Sequence, residues 1–226
     1  MSIYIDVPHA YFEMARAIFN VLNVEMKKWE EGSQVLNDEQ KKNIQLSMVS
    51  TIIIQCYMTI EAFINEGLKD LWEKSRKFEK DMNELKPVGI VQIQNAKPRY
   101  HEFYKKYGRY DNFEHLTIKT NLSNLGERIK IICKTRKIPQ IHESYKETWD
   151  FFKKMETLYR HFLIHIYPDN IKFNDLLNDI FSKKEIDKCF ETVQIIISHF
   201  YSQNGDNPPE WLKDNTLYNF SGIDYL

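Results

Sequence analysis

The segment MVSTIIIQCYMTIEAFI, residues 48–64, decides the fold class because it is the longest apolar stretch in the chain. Its apolar side chains lie on nearly every side of a helix, which is typical of a helix at the centre of a bundle. Five polar residues interrupt the stretch: Ser50, Thr51, Gln55, Thr59 and Glu61. A membrane span needs about 20 predominantly apolar residues. The segment is therefore too polar for a span and predicts a buried bundle helix.

Helical periodicity continues on both sides of this segment. Asp38 is expected to cap the N-terminus of the central helix, and Gly32–Ser33 to end the helix before it. Pro139 and Pro168 are expected to end two later helices. The predicted helices cover Pro8–Glu31, Asp38–Arg76, Leu122–Arg136, Glu143–Ile166 and Lys184–Ser202. The sequence thus predicts an all-α fold, an antiparallel helical bundle forming a single domain over residues 1–226.

An irregular insertion is expected at residues 79–121, between the second and third long helices, with a short strand at Ile90–Ile93 as one option. The insertion is locally basic, and its cations alternate with tyrosines. Its candidate RNA-binding residues are Lys97, Arg99, Lys105, Lys106 and Arg109. Aromatic rings can stack on bases while the cations neutralise phosphates. The alternative is a solvated loop anchored by its tyrosines. Residues 207–226 are expected to form an irregular C-terminal arm.

Composition excludes several classes of protein. The apolar fraction is 42% and the charged fraction 28%, as in ordinary globular domains. A formal net charge of −1 provides no global basic field for nucleic acid. Cys56, Cys133 and Cys189 lie far apart in apolar segments, so they are interpreted as buried thiols of a reducing compartment. The N-terminus does not have the pattern of a secretory signal, and a cytoplasmic protein without a membrane partner is expected.

The segment YRHFLIHIYPD, residues 159–169, carries Arg160, His161 and His165 near the end of the fourth predicted helix. Five positions separate Arg160 from His165, which places them about 140° apart on a straight helix. One helix therefore cannot bring these two side chains together, whereas His161 and His165 share a face. The apolar stripe of this helix is Trp149, Phe152, Met155, Tyr159, Phe162, Leu163 and Ile166.

Three interpretations of these polar residues remain open. In the first, they are boundary residues beside the core stripe, and His165 is favoured by the helix dipole. In the second, His161 and His165 chelate zinc, although Phe162 stands where a zincin helix has glutamate. In the third, Arg160 and His165 form a composite site across a two-fold axis. Arginine binds two phosphate oxygens with its planar fork, and histidine exchanges protons near neutral pH. The third interpretation requires no metal and no cofactor.

The stretch RHFLIH matches the R-x4–6-H signature and resembles the HEPN superfamily (higher eukaryotes and prokaryotes nucleotide-binding). The signature lies near the end of a late bundle helix, as it does in that family. The segment TIEAFINEGL, residues 59–68, is similar to the acidic-aromatic segment that these domains carry upstream. The resemblance covers roughly residues 44–202.

This resemblance implies a metal-independent endoribonuclease that acts as a homodimer on RNA in toxin, phage-defence or stress-response systems. Arg160 would hold the scissile phosphate, and His165 would act as general acid or base in the attack of the 2′-hydroxyl. His161 would be a polar auxiliary, and Glu61 would orient Arg160 or His165. For Glu61, an ordinary acid on a helix surface is an equal alternative.

The stretch RHFLIHIY also fits R-x4-H-x-Y, the form seen in HepT-type toxins. There the tyrosine accepts AMP from a partner nucleotidyltransferase antitoxin, so the resemblance makes Tyr167 a candidate regulatory site. Those toxins are much shorter and lack the 79–121 insertion. A second expectation within the same superfamily is a non-catalytic scaffold for dimerisation or nucleotide binding, which the near-neutral net charge favours.

Overall fold

The structure is a computed structural model that describes residues 6–84, 98–119, 124–164, 183–203 and 205–213. Every regular element in these ranges is helical, which confirms the all-α class and the helical bundle character. The option of a strand at 90–93 lies outside the described residues. The helices, in chain order, are α1 (Val7–Glu30), α2 (Asp38–Asn83), α3 (Pro98–Phe103), α4 (Phe113–Lys119), α5 (Leu125–Arg136), α6 (Ile141–Ser144), α7 (Lys146–Ile164), α8 (Lys183–Ser202) and α9 (Glu210–Lys213). A π-helical turn, Tyr104–Gly108, directly follows α3.

The chain forms two compact units, and α2 contributes to both. The first unit consists of residues 1–60 and 146–226, and the second of residues 61–145. The assignment of the whole chain to a single domain stays a prediction.

The core of the first unit is formed by α1, the first half of α2, α7 and α8. From the central segment, Ile52, Ile53 and Cys56 are buried, which confirms that it is a core helix. Helix α7 packs against α8, and Phe152 of α7 stacks on Tyr57 of α2 with ring centroids 6.2 Å apart. By length and composition α2 could cross a membrane, so its polar residues do not by themselves exclude a span; half of its most apolar window is buried inside the protein.

The second unit packs α3, α4 and α5 around the second half of α2. The Trp72 ring contacts Phe113 at the start of α4, and Phe78 contacts Tyr100 of α3. The described part of the 79–121 insertion is therefore largely helical and packed, where the sequence predicted irregular chain. Its apolar side chains Phe103, Tyr107 and Leu116 are buried.

Several helix boundaries differ from the sequence predictions. Helix α2 continues to Asn83 because Phe78 and Met82 extend its buried stripe. The fourth predicted helix is split into α6 and α7 at Tyr145, whose φ of −140° and ψ of 68° are not helical. Helix α5 begins after Asn124, whose side chain accepts a hydrogen bond from the Gly126 amide at 2.8 Å.

The three cysteines are buried and free, as predicted. The described part of the C-terminal arm contains the short helix α9, so it is less irregular than expected. In this part the Gln194 side chain donates to the Leu212 carbonyl at 2.8 Å. The Trp211 ring stacks on His9 with centroids 5.2 Å apart. These contacts attach α9 to the first unit.

Candidate functional site

Helix α7 carries the arginine of the candidate site. Its buried residues Trp149, Phe152 and Met155 confirm the first part of the predicted apolar stripe. Arg160 lies on this helix four residues before its last residue, Ile164, and His161 follows it. His165 and Tyr167 lie outside the described residues. The structure thus places the backbone of Arg160 and His161 near the end of α7.

Lys153, one of two adjacent lysines that precede the motif on α7, is already paired. Lys153 Nζ lies 2.6 Å from Glu156 Oε2, and the Glu156 side chain is only 5% exposed. The same ammonium lies over the Trp149 ring, 5.3 Å from its centroid. A buried carboxylate needs such a partner because burial of an unpaired charge is costly. Lys153 therefore neutralises Glu156 and adds little positive charge to a surface near Arg160.

A groove of about 590 Å³ lies between the first half of α7 and α8. Its charged lining consists of Glu147, Asp150, Lys154, Lys188 and Glu191. Three carboxylates and two ammonium groups give the lining a formal charge of −1. Asp150 precedes Arg160 by ten residues, about 15 Å along a helix. This groove is poorly suited to a polyanion and lies away from the motif.

Glu61 is engaged within the second unit. Arg128 Nη1 of α5 lies 3.2 Å from Glu61 Oε1 and donates to Asn65 Oδ1 at 2.6 Å. The Arg128 side chain is 10% exposed and that of Glu61 25%. The contact is a mostly buried ion pair that ties α5 to α2. The orientation of Arg160 or His165 by Glu61 stays a prediction.

Sequence reasoning did not identify Arg128. The helix α5 stripe contains Leu125, Ile129, Ile132 and Cys133, all buried. Arg128 follows Leu125 by three positions and precedes Ile132 by four, so it lies on the same face. A charged residue inside an apolar stripe needs a buried partner. That signal was present in the sequence, although the sequence did not identify the partner.

The basic segment of the insertion carries four cations, Arg99, Lys105, Lys106 and Arg109, which together we call the basic face. All four side chains are exposed, whereas Lys97 lies outside the described residues. None of the four has a carboxylate within ion-pair distance among the described residues. Glu102 is an exposed acid in the same segment. The face therefore carries a net positive charge.

The tyrosines of this segment do not project with the cations. Tyr107 is 6% exposed and packs on Phe103, with centroids 4.9 Å apart. Tyr100 is half-buried against Phe78. The cations instead cover the rings: Lys106 Nζ lies 5.1 Å from the Tyr107 centroid. This arrangement matches the alternative in which tyrosines anchor the segment, and it leaves the basic face suited to phosphates more than to base stacking.

The described residues contain no group of three or more His, Cys, Asp or Glu side chains that could hold a metal ion. Neither a family model, nor a curated protein, nor a solved structure matches the chain. The described residues form helices, and the arginine of the R-x4-H motif lies near the end of the long helix α7. The HEPN assignment continues to rest on the motif and its position.

Proposed function

We propose that the protein is a HEPN-type endoribonuclease that cleaves RNA without a metal, at a site composed from two copies of an antiparallel bundle. The observation that carries the proposal is the R-x4-H motif, with Arg160 near the end of α7 and His165 immediately after it. A role in toxin, phage-defence or stress-response systems follows from the same resemblance.

In this mechanism Arg160 binds two non-bridging oxygens of the scissile phosphate and offsets the charge that develops there. His165 removes the proton of the adjacent 2′-hydroxyl or donates one to the leaving 5′-oxygen. The 2′-oxygen forms a bond to phosphorus as the bond to the 5′-oxygen breaks. The products are a 2′,3′-cyclic phosphate and a 5′-hydroxyl. His161 assists as a polar neighbour.

The test is cleavage of RNA in excess EDTA by the full chain. Wild-type protein should cleave, and His165→Ala should lose activity by at least about 100-fold, the usual size of a general acid–base contribution. His115→Ala is the control, because His115 is an exposed histidine on α4. An RNA with a 2′-deoxy group at the cleaved position should resist. Cleavage that requires a divalent ion, or that survives His165→Ala, contradicts the mechanism.

The basic face supports RNA as the substrate. Replacement of Lys105 and Lys106 by glutamate should weaken binding of single-stranded RNA equally for different sequences. Two lost phosphate contacts lower the slope of log K against log salt by about 1.4. Lys41→Glu with Lys42→Glu is the matched control, an adjacent lysine pair at the start of α2. An unchanged slope, or a loss confined to one RNA sequence, contradicts phosphate binding by this face.

A non-catalytic HEPN scaffold is the second candidate. The acidic groove between α7 and α8 and the formal charge of −1 favour it, because RNA-cleaving proteins usually carry a basic channel. The scaffold binds a nucleotide or a second copy and leaves RNA intact. Absence of EDTA-resistant cleavage together with a stable dimer would favour the scaffold.

The HepT-like form of the motif adds a regulatory proposal. Tyr167 would accept AMP from a nucleotidyltransferase antitoxin, which would silence the toxin. Tyr167→Phe should then keep nuclease activity and no longer gain the mass of AMP when the chain is co-expressed with that partner. AMP transfer to the Tyr167→Phe variant would contradict the assignment.

A further inference from the structure

The water-facing stripe of α1 contains no charged residue over most of the helix. It consists of Val7, Ala10, Met14, Ala17, Val21 and Val24. The exposed fractions of Val7, Met14, Val21 and Val24 are 39%, 49%, 38% and 45%. Solvent-facing stripes of soluble helices normally carry charged and polar residues. Contiguous apolar surface of this kind marks an interaction site.

The opposite side of α1 is already used. Phe12, Ala15 and Leu22 are buried in the core of the first unit. The charged residues Glu13 and Arg16 lie between the two apolar sides and pair with each other at 3.1 Å. The stripe is thus a second apolar side, additional to the one that folding requires.

The spacing of the stripe is that of a coiled-coil seam. Successive members are separated by three, four, three, four and three residues, which is the alternation of a and d positions in a heptad repeat. The seam runs from Val7 to Val24, about 26 Å along the helix. A partner helix that lies along it would place side chains of both helices into one another's gaps.

The residue sizes fit a second copy of α1 in the antiparallel direction. An antiparallel pairing sets each a position against a d position, and a two-fold axis midway along the seam gives the layers Val7–Val24, Ala10–Val21 and Met14–Ala17. In the two inner layers a larger side chain, Val21 or Met14, then faces an alanine. A parallel pairing would set Ala10 against Ala10 and Met14 against Met14, which leaves a gap in one layer and crowds another.

The flanking residues agree with this register. Tyr11 and Ile18 are half-buried beside the seam, so they widen its apolar border, and the register brings Tyr11 of one copy toward Ile18 of the other. It also places Asp6 of one copy near Lys27 of the other, which pairs opposite charges at each end. Membrane-surface helices carry a strongly charged opposite side, whereas that side of α1 is the protein core.

We propose that α1 pairs with α1 of a second copy of this chain through the seam Val7–Val24, as an antiparallel two-fold interface. The area is small, so the dimer is reversible. The inference goes beyond the proposed nuclease, whose composite site brings together the α7 ends of two copies and does not involve α1. The comparison of Val21→Glu with Val35→Glu tests the seam by mass and involves neither RNA nor the composite site.

Light scattering and sedimentation of the full chain test the proposal. Wild type should be dimeric, and Val21→Glu should raise the dimer dissociation constant by at least about 100-fold, because a charge is buried in two equivalent places. Val35→Glu is the matched control, the same change at a side chain that is 98% exposed outside the seam. Circular dichroism shows whether each variant is folded. If Val21→Glu does not fold, Met14→Glu is a second variant that introduces a charge into the seam. A monomeric wild type, or equal dimerisation of Val21→Glu and Val35→Glu, overturns the proposal.

Cysteine pairing tests the register. An equal mixture of Met14→Cys and Ala17→Cys chains, allowed to exchange and then oxidised, should form a disulfide-linked dimer more efficiently than either variant alone. The native thiols are buried and should not compete. Linkage of Met14→Cys with itself that equals or exceeds the mixture would overturn the antiparallel pairing.

Discussion

Arg128 is a charged residue on the apolar face of α5, and its position determines the observed role of Glu61. The resemblance predicts that Glu61 orients Arg160 or His165, and an ordinary acid on a helix surface is the equal alternative. The contact with Arg128 was in neither expectation; it joins two helices inside the second unit, and the orientation of Arg160 or His165 by Glu61 stays a prediction. Periodicity identifies which residues share a helix face, but it does not show which helices meet. The pairing of Glu61 with Arg128 therefore could not be predicted.

Glu61→Gln should lower the free energy of unfolding by about 2 kcal/mol. Loss of one partner of a buried pair costs roughly 3–5 kcal/mol, and the partial exposure of Glu61 and the Asn65 contact reduce this cost. Glu73→Gln is the matched control on the same helix. Its 4.0 Å pair with Lys69 is exposed, so its loss should cost less than about 0.5 kcal/mol. Urea unfolding measures both, and equal stability of the two variants would contradict the buried pair.

The buried thiols make stability depend on alkaline pH. Burial raises the pKa of Cys133 from 9.0 to about 11, and burial also raises the pKa of Cys56. Between about pH 9 and 11 the unfolded chain loses the Cys133 proton while the folded chain keeps it. The stability contributed by the protonated Cys133 thiol is thus fully present below about pH 9 and is lost as the pH rises through about 11. Cys133→Ala should show a shallower decline over this range in urea unfolding, and an identical decline would contradict the prediction.

At the scale of elements, the long helices were predictable and the basic insertion was not. Hydrophobic periodicity located α1, α2 and α8 to within one residue at their N-termini, because each buries a continuous stripe. The insertion mixes lysines and tyrosines, and among its described residues the buried apolar side chains are Phe103, Tyr107 and Leu116. Tyr145 interrupts the helical pattern without a proline or glycine, so the break between α6 and α7 had no sequence signal.

The π-helical turn depends on Gly108. A Cβ at this position would overlap the ring of Tyr104 as far as its Cγ atom, so rotation of the ring does not remove the clash. Gly108→Ala should therefore lower the free energy of unfolding by about 1–3 kcal/mol. Thermal unfolding measures the loss, and Gly108→Ala combined with Tyr104→Ala should recover part of it.

Gly67→Ala is the matched control, the same change within helix α2. There a Cβ would lie 3.7 Å from Ile132 Cδ1, an ordinary contact. Because glycine inside a helix costs about 0.5–1 kcal/mol relative to alanine, this variant should be more stable than wild type. The free energy of unfolding should fall for Gly108→Ala and rise for Gly67→Ala. A change in the same direction for both variants would contradict the packing described for Gly108.

At the scale of the whole molecule, the sequence contains the R-x4-H motif and predicts the helix that carries it. Assembly depends on the exposed surfaces of the folded chain, and the motif does not identify these surfaces. The stripe of α1 was not predicted, because helical periodicity alone does not distinguish a buried apolar side from a second, exposed one. Two apolar sides separated by Glu13 and Arg16 become distinguishable once burial is known for each residue. The nuclease proposal and the α1 seam both require two chains, and they are tested separately.

Mixing of two inactive chains tests whether the catalytic residues act across subunits. Arg160→Ala and His165→Ala should each be inactive alone, because every site in their homodimers lacks one catalytic group. In an equal, freely exchanging mixture about half of the dimers contain one chain of each kind. Each mixed dimer has one intact site, with Arg160 from one chain and His165 from the other, so the mixture should recover about one quarter of wild-type cleavage. RNA cleavage in EDTA measures the recovery. A mixture as inactive as its parents, while light scattering shows dimers, would place both residues in one chain or in no site.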